Sequence, residues 1–152
     1  MLLLQRIAPL VLLVLFGWMA LSTSPRVGVT FDETAHLTAG YSYWTTGEFR
    51  LQPENGNLPQ RWAALPLLAG EMNTPAWEGK AWTTADVWWF GREIFFHAHN
   101  NIEALLQKGR GMILLFGISL VAVVYFWSRK LFGPTGGLLS LGFAVVCPHL
   151  LA

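Results

Sequence analysis

GMILLFGISLVAVVYFW, from Gly111 to Trp127, carries no charge and lies between Arg110 and Arg129. A bilayer-spanning helix needs about 20 apolar residues, with roughly 17 the practical minimum. With its flanks this block meets that length, and it predicts a spanning helix over residues 110–128. Immediately after it, Leu131–Gly137 contains Gly133-Pro134 and Gly136-Gly137, which predicts a tight turn between antiparallel helices. A further uncharged block, Gly136 to Ala152, predicts the third helix, over 136–152, which stops at the chain end as if cut. At the other end of the sequence, Met1 to Leu21 is interrupted only by Gln5 and Arg6 and predicts a helix over 2–22. A cleaved signal peptide is the alternative there, because a basic residue precedes an apolar stretch ending near the small residues Ala20 and Ser22. The expected fold is all-α, with integral membrane helices joined by a long extracytoplasmic loop, residues 23–109, that holds short interfacial helices.

Composition agrees with this division. Of 152 residues 53% are hydrophobic and 12% charged, about half the charged share of a water-soluble domain. A net charge of +1 argues against a nucleic-acid partner. The single cysteine, Cys147, excludes an internal disulfide framework and reads as a small buried hydrophobe. Orientation follows from short basic segments: Arg6 before the first helix, and Arg129 with Lys130 between the second and third, are cytoplasmic under the positive-inside rule. The long loop is then expected on the outer side of a multi-pass inner-membrane protein. Its tryptophans, Trp44, Trp62, Trp77, Trp82, Trp88 and Trp89, suit rings resting at headgroup level.

Chemistry concentrates just after the first helix, at Thr30-Phe31-Asp32-Glu33-Thr34-Ala35-His36-Leu37. From Glu33 to Thr46 the spacing of Leu37, Gly40, Tyr41 and Trp44 is helical. Thr30 and Glu33 fit a capping box, a sufficient structural reason for Glu33. Asp32 and His36, four apart on one helix face, could hold a metal, position a base or simply share a hydrogen bond. A carboxylate at the outer end of a membrane helix can take a proton from an attacking hydroxyl, or ligate a cation that neutralises a phosphate leaving group. A second constellation is Leu51-Gln52-Pro53-Glu54-Asn55-Gly56-Asn57-Leu58-Pro59-Gln60-Arg61-Trp62. Asn55-Gly56 marks a turn, and Asn57 with Gln60 starts a helix over Leu58–Leu68; the functional reading sets Glu54 and Asn55 beside Asp32 around a polar pocket. His97 and His99 are two apart and do not share a helix face, so a zinc site there is disfavoured. Arg110 reads as a headgroup-level anchor. His149 is either functional within the third apolar block or a residue at a helix end.

At these residues the chain resembles membrane glycosyltransferases of the GT-C type, lipid-carrier-dependent enzymes related to the protein O-mannosyltransferase and lipid A aminoarabinose transferase families. The likeness lies in an apolar first helix followed by Asp32-Glu33, then His36-Leu37-x-x-Gly40-Tyr41-x-Tyr43. Gly47-Glu48-Phe49-Arg50-Leu51-x-Pro53-Glu54 and the Leu58-Pro59 segment follow, then Leu131-Phe132-Gly133 and the helix ending near Cys147-Pro148. It covers nearly all of this chain but only about the first quarter to third of such an enzyme, so an N-terminal portion, inactive alone, is expected. The resemblance implies transfer of a sugar from a polyprenyl-phosphate carrier to an acceptor on the extracytoplasmic face. Carried over, Asp32 is the catalytic carboxylate, as base or metal ligand, and Glu33 assists it or positions the carrier phosphate. His36, Tyr43, Glu54, Asn55 and Arg61 are the expected substrate-binding residues. Members differ in their need for a divalent cation, so Mg²⁺ or Mn²⁺ at Asp32 is the one cofactor the resemblance allows. Where the family usually has a His-Pro-Pro-Leu-like stretch this chain reads Asn55-Gly56-Asn57-Leu58-Pro59, which leaves the donor sugar open. A non-enzymatic membrane protein, binding lipid headgroups or a partner through the aromatic loop, is the alternative. A transporter subunit is weaker, since no charge inside the second or third helix marks an ion path.

Overall fold

The computed structural model describes residues 2–70 and 72–151, with side chains from Ile7 onward. The basic side chain of Arg6, used above for orientation, and the terminal Ala152 lie outside the described residues. All regular structure is helical, with no strand among the described residues. The helices are α1 (Leu2–Thr23), α2 (Phe31–Thr46), α3 (Asn57–Ala64), α4 (Gly79–Thr83), α5 (Val87–Arg92), α6 (Ile102–Val145) and α7 (Pro148–Leu151). They form two compact units: Met1–Val27 with Leu114–Ala152, and Gly28–Ile113.

In the first unit, α1 and the part of α6 from Leu114 onward are apolar on most faces. By length and composition two helices can cross a membrane, Ile7–Arg26 and Ile102–Val145. Only 17% and 11% of their apolar windows are buried by the protein itself, whereas the core helix of a water-soluble fold would be mostly covered. Phe16, Val121, Tyr125, Leu141 and Val145 pack together. A straight helix would hold Val121 and Val145 about 36 Å apart, so their common cluster requires a reversal. It occurs at Gly133, whose φ of 74° and ψ of −177° lie where only glycine is relaxed, and Pro134 then opens the returning segment. The two arms approach closely enough that a Cβ on Gly137 would lie 2.8 Å from the Arg129 Cβ.

The returning helix is shorter than the expected span over 136–152. It ends at Val145, and α7 begins at Pro148. Proline lacks an N–H and its ring collides with the carbonyl four residues back, which kinks or breaks a helix, and here the break falls just before Pro148. The twelve residues from 134 to 145 reach about 18 Å, against roughly 30 Å of hydrocarbon.

The second unit is built around α2. Thr34, Ala35, Leu37, Thr38, Ala39, Gly40, Ser42 and Tyr43 are all buried, so most of its circumference is covered. Small residues make this possible. A Cβ on Gly40 would sit 2.1 Å from the Gln60 carbonyl oxygen of α3, so the two backbones cross in direct contact. On one side Leu37 packs with Ala63, Ala64, Leu67, Ile94, Phe95, Leu105 and Leu106. On another, Ala35, Ala39 and Tyr43 pack with Leu51, Trp82, Val87 and Phe90. Several loop tryptophans therefore belong to a protein core: Trp82 is buried, and Trp77 stacks on Phe90 with ring centres 4.8 Å apart. Trp44 and Trp88 remain exposed. The helix expected over Leu58–Leu68 is α-helical only to Ala64 and continues as a 3₁₀ turn, Leu65–Ala69, because Pro66 has no N–H to donate back into an α turn.

Candidate functional site

The start of α2 is fixed twice. Thr30 has extended backbone and its N–H donates to Glu33 Oε2 at 2.9 Å, closing the capping box that the sequence suggests. The Thr30 hydroxyl donates to the same oxygen at 3.0 Å. Arg110, 77 residues away, donates from Nε to Glu33 Oε1 at 2.6 Å and from Nη2 to Oε2 at 2.8 Å. The Arg110 Nη2 also donates to the Gly28 carbonyl at 2.9 Å. Burial raises the Glu33 pKa, but Arg110 and the Thr30 donors outweigh it and hold the carboxyl below its usual value. Both Glu33 oxygens are committed. Arg110, read from sequence as a headgroup anchor, is the partner that locks this helix end in place.

Asp32 is one residue earlier and differs in every respect. It is exposed, at the positive end of α2, and makes no hydrogen bond or ion pair among the described residues. The Asp32–His36 pairing allowed by their spacing does not form. His36 turns instead toward Gln52, with Nδ1 2.8 Å from Gln52 Oε1. Gln60 donates from Nε2 to Gln52 Oε1 at 2.6 Å and lies 3.2 Å from His36 Nδ1. The Gln52 backbone N–H donates to the Tyr43 hydroxyl at 3.1 Å. Gln52, Gln60 and Tyr43 are buried, so this is an interior polar network that ties α2 to the 52–60 segment. Gln60 Oε1 has no hydrogen-bond partner among the described residues. Burial, together with the nearby Glu54 carboxylate, pushes the Tyr43 phenol up despite the Gln52 N–H.

Glu54 and Asn55 are exposed in the turn that the Asn55 N–H closes on the Gln52 carbonyl, and no hydrogen bond joins either side chain to Asp32. The Arg61 guanidinium lies over the Trp44 ring, 4.1 Å from its centre. His97 pairs with Glu93 at 3.0 Å, and no group of three His, Cys, Asp or Glu side chains able to hold a metal occurs among the described residues.

A cleft of about 670 Å³ opens beside the start of α2, lined by Val29, Thr30, Phe31, Thr34, Asp86, Trp88, Trp89, Arg92 and Phe96. Asp32 is not among these residues but directly follows three of them, Val29, Thr30 and Phe31. Phe31 and Trp88 stack at 4.0 Å and form an exposed aromatic wall. Asp86 is occupied as the cap of α5, accepting from the Trp89 N–H at 2.9 Å. Gly91 permits this arrangement, since its absent Cβ would lie 3.3 Å from the Thr34 carbonyl oxygen. The contributions of Trp88 and Arg92 had no local signal in the sequence, because the contact of α5 with α2 is a tertiary one. No protein-family model, curated protein or solved structure matches this chain.

Proposed function

We propose that the chain carries the catalytic carboxylate of a lipid-carrier-dependent glycosyltransferase of the GT-C type in a bacterial inner membrane. In this reading α1 and the apolar part of α6 span the bilayer, and residues 28–113 form short interfacial helices on the extracytoplasmic side. The observation that supports it is the contrast between two adjacent carboxylates. Glu33 is paired with Arg110 and both its oxygens accept hydrogen bonds, whereas Asp32 is exposed and unpaired on the helix end that Glu33 fixes. A general base needs that combination of a free oxygen and a fixed backbone.

The chemistry follows from the carboxylate. Asp32 removes the proton of an acceptor hydroxyl as its oxygen attacks the anomeric carbon of the sugar. The bond from that carbon to the carrier phosphate oxygen breaks, and polyprenyl phosphate leaves with the bonding electrons. Charge builds on the sugar as in glycoside hydrolysis. The cleft beside Phe31 offers room and an aromatic wall for a reacting molecule. A divalent cation, where one is used, would find one protein ligand in Asp32 and take its other oxygens from the phosphate and water.

The test is a transfer assay. Membranes containing the complete enzyme that carries this chain, given polyprenyl phosphate carrying radiolabelled mannose or glucose, should move label to a membrane acceptor and release polyprenyl phosphate. Equal transfer by membranes that lack the protein contradicts the proposal.

A further inference from the structure

The segment from α3 into its 3₁₀ turn has two faces. Gln60, Ala63, Ala64 and Leu67 are buried. Leu58, Arg61, Leu65 and Leu68 recur at spacings of three, four and three on the other face. Leu58 is 67% exposed, and Leu65 and Leu68 are exposed as well. Arg61 stands among these leucines, held over Trp44 and 5.7 Å from the centre of the Phe49 ring. The Trp44 indole N–H donates to the Arg61 carbonyl at 2.9 Å, so ring and arginine are fixed to each other at two points. Trp44 and Phe49 are themselves exposed. Arg61 makes no ion pair among the described residues.

Such a face makes two demands. Three leucines and two aromatic rings gain by leaving water, while the guanidinium keeps a requirement for an anion. An apolar protein partner would meet the first demand and strand the charge, at a large desolvation penalty. The boundary between headgroups and acyl chains meets both: leucines enter the acyl region, and arginine and tryptophan stay at the level of the phosphates. The chain enters and leaves this unit through α1 and α6, the two helices able to cross a bilayer.

We propose that Leu58, Leu65 and Leu68, with Trp44 and Phe49, form a lipid-docking face on which Arg61 binds the headgroup phosphate of an anionic phospholipid. This rests on the membrane part of the reading above and is independent of sugar transfer. It gives Arg61 a role at the bilayer surface in place of substrate binding.

Spin-label accessibility tests it on the whole chain. In a Cys147→Ser background, single cysteines at Leu58, Leu65, Leu68, Val123 and Glu78 are labelled with a nitroxide. Each protein is reconstituted in vesicles of phosphatidylcholine and phosphatidylglycerol in equal parts, then probed with oxygen and an aqueous nickel chelate. Labels at Leu58, Leu65, Leu68 and at Val123 on α6 should be open to oxygen and closed to nickel, and the label at Glu78 the reverse. Arg61→Gln should lower the oxygen preference at Leu65 to the value found in phosphatidylcholine alone, with Val123 unchanged. Nickel access at Leu58 and Leu65, or closure to both reagents as under a protein cover, overturns the docking face. No effect of Arg61→Gln overturns the headgroup contact. The Val123 label separates the two readings: if it is in lipid while Leu58 is not, the docking face fails and the membrane assignment stands. If Val123 is open to nickel, the membrane assignment fails too.

Discussion

Arg110 grips Glu33 with two parallel hydrogen bonds, Nε to Oε1 at 2.6 Å and Nη2 to Oε2 at 2.8 Å. A bidentate guanidinium–carboxylate pair fixes direction as well as distance. Here it joins the third turn of α6 to the first turn of α2, and a third bond, to the Gly28 carbonyl, extends the hold to the chain before α2.

Removing that grip should loosen the start of α2. Both side chains are largely covered, 18% exposed for Arg110 and 25% for Glu33. Arg110→Ala is expected to cost about 1.5–3 kcal/mol, the range for hydrogen bonds to charged groups. Arg110→Lys should recover only part of this, since an ammonium cannot make the paired contact. Thermal unfolding in detergent measures both. An unchanged midpoint for Arg110→Ala would contradict the structural role.

The same pair makes stability depend on acid. The folded Glu33 pKa is lowered, so its contribution is fully present above the unfolded carboxylate value and is lost as pH falls through the folded one. The loss therefore begins near pH 4.5, the ordinary value, and deepens below it. Glu33→Gln should flatten the unfolding midpoint over that window while lowering it at neutral pH. A wild-type acid profile in Glu33→Gln would show that other carboxylates set it.

Glycine tests the α2–α3 crossing. Alanine is normally favoured over glycine inside a helix by about 1 kcal/mol. At Gly111, where an added Cβ meets nothing within 4 Å, Gly→Ala should be neutral or stabilising. At Gly40 the added Cβ would lie 2.1 Å from a backbone oxygen, so Gly40→Ala should destabilise by about 1–3 kcal/mol or more, as overpacking does. Equal midpoints for the two variants would rule out the close crossing.

These contrasts show which features were legible in the residues. The capping box at Thr30 and Glu33 is local chemistry, and Gly133-Pro134 marks by itself the place where α6 reverses. The partner of Glu33 was not legible, because nothing near Arg110 in sequence distinguishes a guanidinium that meets a carboxylate from one that meets a headgroup. Helical spacing brings Asp32 and His36 to one face but does not say that Gln52 and Gln60 compete for the imidazole. Gln60 was read as part of a helix start; it is buried, and its fold-specific work is done across the α2–α3 interface. The π-helical turn Glu93–His97 likewise leaves no pattern in residue types.

Tyr43 separates a structural from a substrate-binding role. The residue is 3% exposed and its hydroxyl accepts the buried Gln52 N–H. Tyr43→Phe leaves that donor unpaired and should cost about 1–3 kcal/mol in stability. Transfer kinetics should show an unchanged KM for the acceptor. A raised KM with an unaltered midpoint would return Tyr43 to the substrate site.

Asp32 remains the residue on which the proposed chemistry depends. The decisive measurement is transfer of labelled sugar from polyprenyl phosphate by the complete enzyme that carries this chain, as Asp32→Asn and as wild type in membranes, alongside the unfolding midpoint of each. Asp32 is exposed and unpaired, so the substitution should leave the midpoint nearly unchanged. Losing a general base should lower kcat about 100-fold or more. Wild-type transfer by Asp32→Asn would contradict the assignment.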